Sequence, residues 1–324
     1  MEKQILTEES PKKLQYFPIN LFASVMGISG LAIAYERYEQ VFKLSNGTGF
    51  LLLIAAYLVC ILVTITYFLK IAKHFPAVVK EFNHPVKANF FPAFSISLLL
   101  LSVGTINYQE KLAFYLWIVG ATVHFLLTII IISRWITQKY LIMQINPAWF
   151  IPVVGNIIIP IAGINFVNIE ICWFFFSIGI FFWIILFALI FYRIVFHDPM
   201  QKPLFPTLFI FIAPPSVAFM AYTKIIGHID SFSRILLYIA MFFVILLLSM
   251  ARYFVKLDFA VTWWAYTFPL SAVTIASITA FEMLKVPLFG WVATGLLILT
   301  TLVVVTVLLK TLYAFFRNQI CVPE

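Results

Sequence analysis

Charge is scarce in this chain. Asp, Glu, Lys and Arg supply 10% of its 324 residues, against about a quarter in an ordinary soluble protein. With 63% of residues hydrophobic, too little polar surface remains to solvate a folded domain. Long polar stretches are missing as well. Their absence removes the usual housing for nucleotide hydrolysis, and no G-x-x-x-x-G-K-[ST] loop appears. Cysteine is limited to Cys60, Cys172 and Cys321, too few and too scattered for a disulfide framework or a metal cluster. No His-x-x-His cluster or carboxylate pair points to enzyme chemistry in a membrane, so the sequence implies no catalytic residue, no cofactor and no metal. The net charge of +8 raises the question of nucleic acid. No basic patch interleaved with aromatics on a polar domain supports it, and nucleic acid is excluded as a partner.

What is present is a series of apolar segments, each near the roughly 20 residues needed to cross a bilayer. Ten can be drawn, with short polar joints: Pro18 to Tyr35, Gly49 to Leu69, Asn89 to Asn107, Leu112 to Ser133, Ala148 to Asn165, Ile171 to Tyr192, Phe205 to Thr223, Ile235 to Met250, Ala260 to Ala280 and Phe289 to Leu309. The expected fold is an all-α polytopic membrane protein. Residues 1–17 read as a short tail, 18–313 as one pore domain and 314–324 as a second tail. MEKQILTEESPKK at the start has no run of small residues resembling a signal-peptidase site, so the first hydrophobic run reads as a retained span. Ten spans put both termini on one side. The opposite side holds only Arg37, Lys43, Lys111, Lys224, Arg234 and Lys285 of the 21 basic residues, so the positive-inside rule makes both termini cytoplasmic.

The segments alternate in character. Pro18, Pro92, Pro152, Pro160, Pro206, Pro214, Pro215 and Pro269 all fall in odd-numbered spans, together with most of the Ser, Thr and Asn; the even spans as drawn have no proline. An even span such as ICWFFFSIGIFFWIILFALIFY is apolar around its whole circumference, as a lipid-facing helix is. Odd spans carry the breaks, and irregular backbone at membrane depth belongs against protein or a cavity. The chain therefore reads as five helical hairpins in series, a weak internal repeat. Five such hairpins could close into a ring with odd helices inside and a pore along the shared axis.

Candidate bends follow from the breaks: Pro92, Pro152, Pro214, Pro215 and Pro269. In the first span, Gly27 and Gly30 stand where the others have a mid-span proline. No odd span as bounded contains Asp, Glu, Lys or Arg, which favours a passive pore over a coupled carrier. Ser24, Ser95, Asn156, Ser216, Thr267 and Ser271, with Asn20 and Ser97, are the candidate polar lining, their hydroxyls and amides replacing part of an anion's hydration shell. Interhelical packing or bonding back to the helix accounts for them equally well. His124, on an even span, reads as a neutral histidine hydrogen-bonded between helices, with a proton-relay role as the alternative. Arg37, Lys224, Glu282 and Lys285 flank the spans and read as interfacial anchors or as residues tuning ion access.

FASVMGISGLAIAY near the start, HPVKANFFPAFSIS from His84, NPAWFIPVVGN from Asn146 and WWAYTFPLSA from Trp263 resemble, in this order and spacing, the tellurite-resistance/dicarboxylate transporter family. That family includes the bacterial tellurite-resistance membrane proteins and the plant slow-type anion channels. The resemblance covers nearly the whole chain. It implies a quasi-fivefold ring of hairpins, a pore through each protomer, a homotrimer, and a bacterial cytoplasmic membrane as the location. Phe268, which alone would read as one packed ring among 36 phenylalanines, becomes by resemblance the residue gating the axis. Where the family often has glycine after that phenylalanine, this chain has Pro269. The function implied is passage of small monovalent anions such as chloride or nitrate. The alternative is secondary transport of dicarboxylate, sulfite or tellurite-related oxyanions.

Overall fold

The computed structural model describes residues 13–44 and 47–322. Most of the expected N-terminal tail, residues 1–12, lies outside them, as do the last two residues of the C-terminal one. The described residues form helices and no strand. In order these are α1 (Phe22–Val41), α2 (Thr48–Lys73), α3 (Phe75–Asn83), α4 (Ala93–Thr105), α5 (Glu110–Thr137), α6 (Phe150–Val154), α7 (Ile159–Gly163), α8 (Ile169–Phe196), α9 (Ala213–Ile226), α10 (Ser231–Ser249), α11 (Ala251–Phe254), α12 (Thr267–Leu284) and α13 (Pro287–Phe316).

Among the described residues, nine helical segments are long and apolar enough to cross a membrane. The segment expected at Ala148 to Asn165 is instead a shorter one, Pro147–Gly163, made of a 3-10 turn at Pro147–Trp149, α6, a second 3-10 piece at Gly155–Ile158 and α7. Pro152 and Pro160 each remove a backbone donor within it, and no long α-helix forms.

Burial separates two sets. Ile19–Val41, Lys87–Thr105, Lys202–Ile226 and Val261–Leu284 are 67% to 83% buried, whereas α2, α5, α8, α10 and α13 are 28% to 39% buried. Of the two sets the buried one holds the prolines, apart from Pro287 at the first position of α13; the exposed set presents a continuous apolar surface, as lipid-facing helices must. Each buried segment packs on the exposed helix that follows it: α1 on α2, α4 on α5, α6 and α7 on α8, α9 on α10, α12 on α13. The buried segments also touch one another, α1 against α4 and α12, α12 against α9, and the Gly155–Ile158 turn against both α9 and α4.

The prolines do not kink continuous helices. In three buried segments a 3-10 stretch converts to α-helix at the proline. Lys87–Phe90 precedes Pro92, which caps α4; Lys202–Ile212 precedes Pro214 and Pro215 in the first turn of α9; Val261–Tyr266 precedes Pro269 in the first turn of α12. The first turn of an α-helix has no intrahelical use for its N–H groups, so proline costs little there. The first span follows the same plan with a short 3-10 turn, Ile19–Leu21, before α1. Gly27 lies inside α1, where helical pairing is unbroken. Its role is close approach rather than a break: a Cβ there would come within 2.1 Å of Thr267 Oγ1 and 2.7 Å of Thr267 Cβ.

A buried polar cluster fixes the start of the first span. Glu81 of α3 accepts from the Ile19 N–H (2.9 Å), the Tyr67 hydroxyl (3.0 Å) and Lys70 Nζ (2.6 Å), and Lys70 also reaches the Phe17 carbonyl at 2.7 Å. Every member is satisfied, as a buried ion pair requires. At the other end of the molecule, Asp230 caps α10. The Ser233 N–H (2.9 Å) and the Tyr222 hydroxyl (2.7 Å) hold its carboxyl below the usual range.

Overpacking at the α1–α12 contact is testable. Gly27→Ala is expected to destabilise the protein by about 1–3 kcal/mol. Gly295→Ala on α13, with nothing within 4 Å of the new methyl group, is expected to be neutral or stabilising by up to about 1 kcal/mol. Thermal melts of the detergent-solubilised variants measure the difference, and equal melting points would contradict the close approach.

Candidate functional site

Two cavities lie end to end along the buried segments. The first, about 70 Å³, is lined from the N-terminal halves: Ala23 and Met26 of α1, Phe90 and Ala93 near the start of α4, Phe150 and Val154 of α6, Ile210 and Pro214 near the start of α9, and Trp264 and Pro269 near the start of α12. No charged side chain borders it. The second, about 330 Å³, is lined from the C-terminal ends of the same segments. It includes Glu36, Arg37, Asn107, Asn165, Thr223, Lys224, Thr279 and Glu282. Three residues border both cavities, Ile158, Val217 and Phe268, each from a different buried segment.

Phe268 is therefore a side chain with a cavity on either side of it. It stands in the first turn of α12, immediately before Pro269, and is 8% exposed. Its ring packs beside α1 at Gly30, where an added Cβ would lie 3.4 Å from Phe268 Cδ2 and 2.8 Å from Ser271 Cβ. Glycine at position 30 admits the close approach of Ser271, with the Phe268 ring in ordinary contact beside it.

Among the expected bends, Pro214 and Pro269 border the first cavity, whereas Pro92, Pro152, Pro215 and Gly27 border neither. The expected polar lining behaves differently again. Ser24, Ser95, Asn156, Ser216, Thr267 and Ser271 are all buried, and none borders either cavity. Each bonds to a carbonyl three or four residues earlier. Ser24 Oγ donates to Leu21 O (2.7 Å), Ser95 to Pro92 O (2.8 Å), Ser216 to Ile212 O (2.7 Å), Thr267 to Trp264 O (2.7 Å) and Ser271 to Thr267 O (3.0 Å). Asn156 Nδ2 donates to Val153 O at 2.8 Å. A hydroxyl has one proton, and once it is given to a carbonyl nothing remains to solvate a passing anion. These residues cap the backbone where helix type changes. Ser97 does the same, donating to Ala93 O (2.7 Å) and Phe22 O (3.2 Å).

His124 is fully buried on α5, with Nδ1 2.9 Å from Ser95 Oγ. Because Ser95 gives its proton to Pro92 O, Nδ1 is the donor in this pair and Nε2 the bare nitrogen of a neutral ring. Nε2 has no partner among the described atoms and faces Gly155, where an added Cβ would lie 2.6 Å from it. The ring thus packs between α5 and the third buried segment, outside both cavities.

Sequence reasoning passed over the polar wall of the larger cavity. In the sequence Arg37, Lys224 and Glu282 read as flanking charges, and Glu36, Asn107 and Asn165 do not stand out. The odd spans were closed at Tyr35, Thr223 and Ala280, while α1, α9 and α12 continue to Val41, Ile226 and Leu284. The signal available was the i, i+1 pair Glu36–Arg37 at the end of an apolar run. Arg37 Nη2 pairs with Glu282 Oε2 at 2.5 Å, and Glu36 Oε1 accepts from Asn107 Nδ2 at 2.9 Å.

Comparison with known proteins gives the following. The sequence profile of the family described as voltage-dependent anion channel (SLAC1) matches residues 16–312. The chain is similar to the S-type anion channel SLAH3 of Arabidopsis thaliana, 31% identical over 312 residues, covering 93% of this chain and 48% of that protein. It is similar to the guard cell S-type anion channel SLAC1 of the same plant, 28% identical over 98% of this chain and 59% of that protein. It is also similar to the tellurite resistance protein TehA homolog of Haemophilus influenzae, 24% identical over 88% of this chain and 90% of that protein. The chain spans less than two thirds of the length of these plant relatives.

Cavity lining can be checked by cysteine labelling in a variant lacking Cys321, since Cys60 and Cys172 are buried. Asn107→Cys and Thr279→Cys are expected to react with a small water-soluble thiosulfonate, and Ser24→Cys, Ser216→Cys and Ser271→Cys to resist it. Rapid modification of the serine positions would put them on the axis after all.

Proposed function

The chain belongs to the SLAC1 family of voltage-dependent anion channels, and on that premise we propose that it is an anion channel passing small monovalent anions such as chloride and nitrate. The protein is an integral membrane protein by its apolar helices and its family. In this reading residues 18–313 form one pore domain of ten spans, five hairpins in a quasi-fivefold ring, with both termini cytoplasmic in a bacterial membrane. Three such chains assemble as a homotrimer with a pore in each. The contacts among the buried segments support the ring, and the excess of basic residues on the termini's side supports the orientation.

One observation carries the proposal: Phe268 stands between the two cavities, with Ile158 and Val217 beside it. An apolar constriction blocks ions because a hydrated ion cannot keep its shell within it and water withdraws from it. Phe268 is thus the gate, and the 70 Å³ apolar cavity beyond it favours anions that lose water cheaply.

Secondary transport of oxyanions has one observation in its favour. Glu36, Arg37, Lys224 and Glu282 border the larger cavity, and a coupled carrier uses ionisable groups of this kind. Flux in reconstituted vesicles separates the readings. The channel is expected to carry chloride current reversing at its Nernst potential with or without a pH gradient; obligatory coupling to protons would overturn it.

Removal of the ring tests the gate. Phe268→Ala is expected to raise steady chloride and nitrate current in planar bilayers several-fold. Unchanged current from an equal quantity of inserted, monodisperse protein would remove Phe268 from that role.

A further inference from the structure

The larger cavity holds four charged side chains, and three of them are already engaged. Arg37 and Glu282 form an ion pair at 2.5 Å, with Arg37 Nη1 also donating to Gln40 Oε1 at 3.0 Å. Glu36 is buried, accepting from Asn107 at 2.9 Å and from Gln40 at 3.3 Å. Lys224 differs. Its Nζ donates to the Ile161 carbonyl at 3.1 Å, and it forms no ion pair with a carboxylate of the described residues. An ammonium has three protons, and one neutral acceptor leaves two of them for a ligand; the carboxylate of Glu36, the other charge here outside an ion pair, is instead occupied by the amides of Asn107 and Gln40.

The placement gives the ammonium a use. Lys224 sits near the C-terminal end of α9, two turns beyond Val217, and Val217 shares the constriction with Phe268. An ion on the axis meets charge only on this side of the ring, because the smaller cavity has no charged side chain. With about 330 Å³ available, roughly ten waters fit. An anion here keeps much of its hydration and is attracted by charge rather than selected by size.

We propose that Lys224 is the anion-capture residue of the larger cavity, holding a small, still hydrated anion next to the Phe268 constriction. This rests on the channel reading and adds a division of labour to it. The wide cavity sorts by sign, and the narrow apolar one sorts by the cost of dehydration. The Arg37–Glu282 pair is a masked second cation: its members are 35% and 41% exposed, so removing the carboxylate exposes a charge without undoing the core.

Binding is read separately from conduction, by thermal shift of the detergent-solubilised full chain titrated with chloride and with nitrate at fixed ionic strength. One unit charge about 7 Å from an anion in a wet cavity is worth roughly three- to eightfold in affinity. Lys224→Gln keeps a donor for the Ile161 carbonyl and is expected to raise the half-saturating concentration of both anions by that factor. Lys224→Arg should stay near wild type. Glu282→Gln should shift the other way, to tighter binding, which loss of a merely structural contact would not produce. Wild-type affinity in Lys224→Gln, or weaker binding in Glu282→Gln, overturns the proposal. Should Lys224→Gln not purify as a monodisperse protein, Lys224→Met, which also removes the charge, is titrated in its place, with weaker binding of both anions expected and wild-type affinity overturning the proposal. Altered binding with no anion current in any variant would leave capture standing and remove the channel reading. Current that ignores Lys224 would do the reverse.

Discussion

Every backbone carbonyl inside the bilayer has to be given a donor, and the inner half of this protein is arranged around that requirement. An unsatisfied peptide group in hydrocarbon costs several kcal/mol, more than any single packing contact returns. The buried segments change helix type partway along, and each change leaves a carbonyl to be provided for. Ser24, Ser95, Asn156, Ser216 and Thr267 stand three or four residues after the carbonyls they serve, one in each buried segment. At the third segment the outer helix adds a further donor, Thr128 Oγ1 to Pro152 O at 2.6 Å. Hydroxyl and amide donors placed in this way make the 3-10 halves tolerable at depth. The 3-10 halves in turn let the prolines stand in first turns.

The same constraint explains which parts of the sequence could be read in advance. The alternation of proline-bearing and uniformly apolar segments was legible because it is a matter of composition. It reappears as the difference between buried and exposed helices. The role of the polar residues was not legible. A serine bonded to its own helix and a serine facing an axis have the same neighbours in sequence, and only the rotamer separates them. Gly27 misled in a similar way. A glycine in an apolar helix is compatible with a bend or with a close neighbour, and Thr267, the neighbour in question, is 240 positions away. The charged wall of the larger cavity was hidden by the rule used to draw spans, which stops where hydrophobicity stops. Helical hydrogen bonding does not stop there, and Glu36, Lys224 and Glu282 stand on the extra turns.

A polar residue on an outer helix also takes its meaning from the backbone problem. His124 presents Nδ1 to Ser95, and Thr128, one turn on, reaches both the His124 carbonyl at 2.9 Å and Pro152 O. Asn156 Nδ2 then reaches Thr128 Oγ1 at 2.9 Å. The chain Ser95, His124, Thr128, Asn156 therefore joins the second hairpin to the third through their two proline sites. It is a polar seam between apolar helices, where a hydrogen bond fixes relative position more sharply than dispersion contacts can.

Phe268 depends on its surroundings in two ways that bear on how a constriction there could open. Its backbone belongs to the first turn of α12, with Pro269 next in the chain. Proline fixes its own φ and narrows the choices of the residue before it, so a backbone hinge at this point is disfavoured. The side chain has more freedom. Its ring lies beside Gly30, where the lack of a Cβ leaves α1 smooth, and beside two cavities that offer space in either direction along the axis. Where the family often has glycine, a gate could move with the helix. In the proposed channel, with proline at this position, the economical way to open is rotation of the Phe268 side chain about χ1 and χ2 into a neighbouring cavity, while the helices stay where their capped carbonyls hold them.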